Sequence, residues 1–129
     1  ISINHGMNVI DFGRTPDWTR NNLINHFGTL ILEEGLEVEK TGLHELEPIE
    51  TIRCKFNRPF VIETGGSVNV LNLVEGDEVI ITSDDESFSP LKVNYAETFV
   101  VPASVKKYRV CPAVDSGSKS FILIRAYIR

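Results

Sequence analysis

From Gly28 onward the chain is written with a period of two. In EPIETIRCKF (47–56), Ile49, Thr51, Arg53 and Lys55 fall on one side and Glu50, Ile52, Cys54 and Phe56 on the other. Successive side chains of a strand point to opposite faces, so such a segment can rest one face on a core and show the other to water. The same texture returns at 29–34, 59–63, 67–75, 78–83, 90–95, 98–102, 106–112 and 120–128, with Gly, Pro, Asp and Ser at the corners. About nine short strands at this spacing predict an all-β sandwich or small barrel. No segment after residue 28 has the length of a crossover helix, which argues against a parallel α/β sheet. The 129 residues suit one domain, large enough to bury about two thirds of its unfolded surface without staples.

The corners carry further expectations. Phe99, Val100 and Val101 form a nearly all-apolar run, as in a strand covered on both faces. Pro102 cannot donate to a ladder and so belongs at that strand's end. KKYRV (106–110) then alternates and should be half exposed. Gly65-Gly66 is a tight turn of the type used in hairpins. Upstream, residues 1–27 differ in texture and read as an arm with a short helix. Thr15 is the expected N-cap, Pro16 suits the first helical position and Asp17 complements the positive helix end. Leu23, Ile24 and Phe27 form one stripe, Trp18 lies off it, and Gly28 is the expected stop. Residues 4–12 read as a short helical turn or an extended arm.

Charge and composition narrow the function. The net charge is −5 with no dense Lys/Arg face, which argues against nucleic acid as a partner. No apolar run approaches the ~20 residues of a membrane helix, and the polar start lacks a cationic secretory n-region. Cys54 and Cys111, the only cysteines, sit at the ends of strand-like runs and outside any CxxC pair. They read as free thiols acting as small hydrophobes, in a cytoplasmic protein. The chain starts at Ile1, and Met7 is its only methionine; the expectation is a piece of something longer.

Chemistry-bearing residues are sparse. His5 reads as a packing or linker residue, and His26 as a partner of a helix C-terminal dipole. His44, beside Glu45 and Glu47, belongs to an acidic loop. Glu33, Glu34, Glu37, Glu39, Glu45, Glu47 and Glu50 stand against Lys40 alone and read as a solvated face. The C-terminal third is basic, with Lys106, Lys107, Arg109, Lys119, Arg125 and Arg129. Ordinary surface charge is the favoured reading there. The candidate phosphate site is Lys107 with Arg109, which share strand parity and could act as point charge and fork. No Gly-rich phosphate loop, nucleophile elbow or Ser/His/Asp set is present, so no catalytic residue is assigned.

VLNLVEGDEVIITSDDESFSPLKVNYAETFVVPASVKKYRV (70–110) resembles the C-terminal cupin region of class I, zinc-dependent mannose-6-phosphate isomerases. The resemblance rests on Val74-Glu75-Gly76, Ala96-Glu97-Thr98, Val100-Val101-Pro102-Ala103 and Tyr108, and on INHGMNVIDF (3–12) upstream. It implies a cupin jelly roll over 28–129 and a parent activity interconverting mannose 6-phosphate and fructose 6-phosphate. The family's zinc ligands come from a Gln-x-His pair, a Glu and a later His, all upstream of the matched part; this chain contains no Gln. Cupins that bind a metal within one domain carry His-x-His and a His after the Pro corner. Here Asn69 and Asn72 stand in the first place and Lys107 or Tyr108 in the second, so no cofactor is expected in this chain. The resemblance therefore implies a non-catalytic C-terminal part whose partner is an upstream catalytic domain of the same chain. The alternatives are a metal-free module binding a sugar or sugar phosphate at the barrel mouth, or a dimerisation module.

Overall fold

The computed structural model describes residues 2–24, 27–42 and 46–129. Two short helices, α1 (Ile3–Asn8) and α2 (Pro16–Asn22), precede ten strands among the described residues. These are β1 (Gly28–Glu33), β2 (Leu36–Lys40), β3 (Ile49–Phe56), β4 (Phe60–Glu63), β5 (Asn69–Glu75), β6 (Glu78–Thr82), β7 (Leu91–Asn94), β8 (Thr98–Val101), β9 (Lys107–Pro112) and β10 (Phe121–Ile128). A single 3-10 turn, Ala103–Val105, follows Pro102. The strands form a six-stranded sheet, β1-β2-β3-β10-β5-β8, and a four-stranded sheet, β4-β9-β6-β7. Every pairing is antiparallel. This is the all-β jelly roll expected, with a short helical N-terminal segment.

The period-two reading sets the core. Glu50, Ile52, Cys54 and Phe56 all turn inward from β3, joined by Leu71 and Leu73 of β5, Val79 and Ile81 of β6, Val110 of β9, and Phe121 and Leu123 of β10. β10 runs the length of the sandwich. At one end Phe121 pairs with Phe56, and these rings stack at 5.6 Å with Phe60 tilted 4.8 Å from Phe56. At the other end Tyr127 pairs with both Glu50 and Asn69. One end is thus closed by aromatic rings and the other is polar. Gly76 guards the aromatic end: its φ is +99° and an added Cβ would overlap the Phe121 ring.

Several expectations are corrected. β2 is an extra strand: Leu36 and Val38 are buried although Glu37, Glu39 and Lys40 make the segment look solvated. β8 is an edge strand of its sheet, covered on one face only, with Val100 57% exposed. Gly65 and Gly66, both at positive φ, do not close a hairpin. They carry the chain from β4 in one sheet to β5 in the other. Gly28 opens β1 rather than capping a helix, and α2 ends at Asn22. Thr15 does cap α2, accepting from the Trp18 amide at 3.2 Å, while Arg14 lies 3.7 Å over the Trp18 ring. Leu23, Ile24 and Phe27 are all exposed.

Gly76→Ala should lower stability by about 3 kcal/mol, the combined scale of left-handed strain and overpacking. The midpoint of guanidinium unfolding measures it; an unchanged midpoint would contradict the close approach to Phe121.

Candidate functional site

The polar end is built from inward positions of both sheets. Asn69 is fully buried at the start of β5, and its amide is completely used. Its Oδ1 accepts from the Tyr108 hydroxyl at 3.1 Å and from Arg125 Nε at 2.7 Å. Its Nδ2 donates to the carbonyls of Thr64 at 3.4 Å and Ser67 at 3.1 Å. Arg125 Nη2 donates to the Glu63 carbonyl at 2.8 Å, and its guanidinium lies 4.6 Å over the Tyr127 ring. Thr64 reaches back to the Pro corner, its amide donating to Lys106 O at 2.7 Å and its hydroxyl to Ala103 O at 3.3 Å. The network therefore spans β4, β5, β9 and β10. Burial pushes the Tyr108 phenol well above its ordinary pKa despite nearby Arg125, so it stays a neutral donor. Burial likewise pushes the Cys54 thiol up to about 12, against the pull of Arg125, which removes it as a nucleophile. Cys111, half-buried, is also raised by burial, and both cysteines are free.

Beside this network lies an ion cluster. Glu50 is 1% exposed; its Oε2 meets Lys40 Nζ at 3.0 Å and Arg129 Nη2 at 3.2 Å. Burial raises its pKa, but the two cations outweigh that and hold it below the ordinary carboxylate value. Arg129 also donates from Nη1 to Glu47 O and from its amide to Pro48 O, each at 3.0 Å. The last residue is thereby latched to the β2–β3 connection. The reading of 33–50 as a wholly solvated acidic face is corrected here. Glu50 and Glu39 are buried, the latter paired with Arg53 at 2.6 Å. Their partners come from other strands, which local sequence does not display.

Lys107 and Arg109 share one face of β9, as their parity predicts. Lys107 is exposed and stands across from Glu63. Arg109 has its fork occupied by Asp84, Nη2 to Oδ2 at 3.0 Å and Nε to Oδ1 at 3.3 Å. His5 lies exposed on α1; His26 and His44 lie outside the described residues. Among the described residues no group of three or more His, Cys, Asp or Glu could hold a metal ion. The donors converging in the interior are an amide, a phenol, a hydroxyl and a guanidinium, a set that does not fit zinc. Sequence reasoning missed Asn69 and Arg125 as interior groups. Their signal was parity, since Asn69 shares a face with Leu71 and Leu73, and Arg125 with Phe121 and Leu123.

The architecture is that of a cupin. The chain is similar to the mannose 6-phosphate isomerase of Bacillus subtilis (TM-score 0.60, 13% identity), covering 79% of this chain and 28% of that one. It is similar to hazelnut vicilin from Corylus avellana (TM-score 0.60, 15% identity, 81% of this chain and 32% of that one). An RmlC-like cupin from Shewanella frigidimarina also matches (TM-score 0.57, 18% identity, 82% and 86%). The chain thus spans under a third of the length of the isomerase it resembles. No family model matches the chain, and no curated protein matches it.

Asn69→Ala strands the buried Tyr108 hydroxyl and takes the acceptor from Arg125 Nε, and should cost at least about 2 kcal/mol, whereas Tyr108→Phe should cost about 1 kcal/mol. Equal, negligible losses on chemical unfolding would contradict the shared acceptor. For Glu50 the folded pKa is depressed, so its ionised form adds stability above the ordinary carboxylate pKa of about 4.3. That increment is lost as pH falls through the lower folded value. Glu50→Gln should therefore be less stable at neutral pH and decline less steeply on acidification. Parallel stability curves below about pH 5 would overturn the assignment.

Proposed function

We propose that this chain is a non-catalytic cupin domain of a mannose-6-phosphate isomerase-like protein, a structural unit that packs against a catalytic part. The observation that carries this reading is the interior itself. The polar positions that converge in the barrel are consumed by one another around Asn69, and the described residues leave no group of donors for a catalytic metal. The likeness to a fraction of a larger isomerase supports the parentage.

The surface supports a packing role. Neither helix buries a residue, and the arm shows Val9 at 84% and Phe12 at 69% exposure. The outer face of the six-stranded sheet presents Ile49, Val70, Val74, Val100 and Ile128 to solvent. Contiguous apolar surface of this kind marks an interface. An upstream catalytic domain is the occupant this reading assigns, with a second copy of the chain the competing one.

The test is a coupled isomerase assay on the purified chain with mannose 6-phosphate and added zinc. The expected rate equals that of the buffer blank. Conversion above the blank that scales with protein concentration would refute the non-catalytic reading.

A further inference from the structure

A cleft of about 420 Å³ opens between the β6–β7 loop and the Pro102 corner. Its floor is core: Ile81 and Val101 are buried and also line it. Its walls include Phe88 and Val105, both packed on the core cluster, and its rim carries Ser89 and Ser104. Val101 is the cross-strand partner of Asn69, so the cleft sits beside the polar network and is separate from it. We infer that this cleft is a binding site for a small uncharged ring compound, an apolar body with one hydroxyl, of the phenol or cyclic-alcohol class.

Three features select that chemistry. The volume lies within the range of small-molecule sites, which are mostly apolar with a few polar groups that orient the ligand. No lining residue is charged, so nothing there offsets the desolvation of a phosphate or carboxylate. Beyond the rim, Asp84, Asp85 and Glu86 make the loop acidic; it repels anions further. Two rim hydroxyls are available to orient a ligand. Ser87 is engaged with Ser83 at 2.8 Å, whereas the described residues offer Ser89 and Ser104 no hydrogen-bond partner, and both are exposed. A phenolic hydroxyl at the rim would meet them while its ring covers Ile81 and Val101. This inference goes beyond the proposed packing role and stands whether or not that role holds.

The experiment is a titration of isotope-labelled chain with p-cresol, read by backbone amide chemical shifts. Saturable shifts are expected at residues 81, 87–91 and 101–105, with a dissociation constant on the order of 1 mM for so small a probe. Ser104→Phe should fill the mouth from one side and weaken binding at least about tenfold, a shift of about 1.4 kcal/mol. Ser89→Phe does the same from the opposite rim, and either variant suffices if the other fails to fold. The inference is overturned by no saturable shift, by shifts that both variants leave intact, or by shifts confined to the exposed N-terminal arm. Mannose 6-phosphate should leave these amides unmoved; saturable shifts there with the phosphate would overturn the uncharged class.

Discussion

One side-chain amide joins the two sheets. Asn69 belongs to the six-stranded sheet, yet its oxygen accepts from Tyr108 in the four-stranded sheet, and its nitrogen donates to Thr64 at the exit of β4. The same oxygen takes Arg125 from within its own sheet. A buried polar group is tolerable only when its hydrogen bonds are made, and here the buried Tyr108 hydroxyl has its acceptor in Asn69. The polar end of the barrel is thereby occupied by groups that fix one another.

The two ends of the sandwich solve closure differently. Phe56, Phe60 and Phe121 fill one end by area and ring packing, helped by the missing side chain of Gly76. The other end is held by directional bonds and by the Lys40–Glu50–Arg129 cluster. A buried ion pair of this kind is weak evidence of stability. Its Arg129 follows β10 and also contacts the β2–β3 connection through Glu47 O and Pro48 O. On the outside the arm, the outer sheet face and the cleft below Phe88 stay uncovered, and inside Glu50 Oε1 has no hydrogen-bond partner among the described residues.

Much of the fold was legible because burial in a strand obeys strict alternation. Glu50, Ile52, Cys54 and Phe56 were placed on one face by spacing alone, and they share one buried face. The helix start at Thr15–Pro16 was legible for a local reason too, since capping needs only adjacent residues. Glutamates hid β2: Glu37 and Glu39 dominate its composition, while Leu36 and Val38 decide its burial. The site was less legible. Glu50 reads as solvated until Arg129 arrives from the far end of the chain, and Arg109 reads as free until Asp84 folds against it. Such partners are set by topology, and topology is not written locally. Asn69 and Arg125 were the exception in principle. A polar residue in phase with an apolar stripe is a visible anomaly, and both mark the interior network.

The Asn69 network fills the polar end of the interior with an amide, a phenol and a guanidinium, donors that do not fit zinc. Thermal unfolding of the purified chain in the presence of one equivalent of zinc, compared with chelator, tests this most directly. The predicted result is the same Tm in both. A rise in Tm that saturates at one zinc per chain would contradict it.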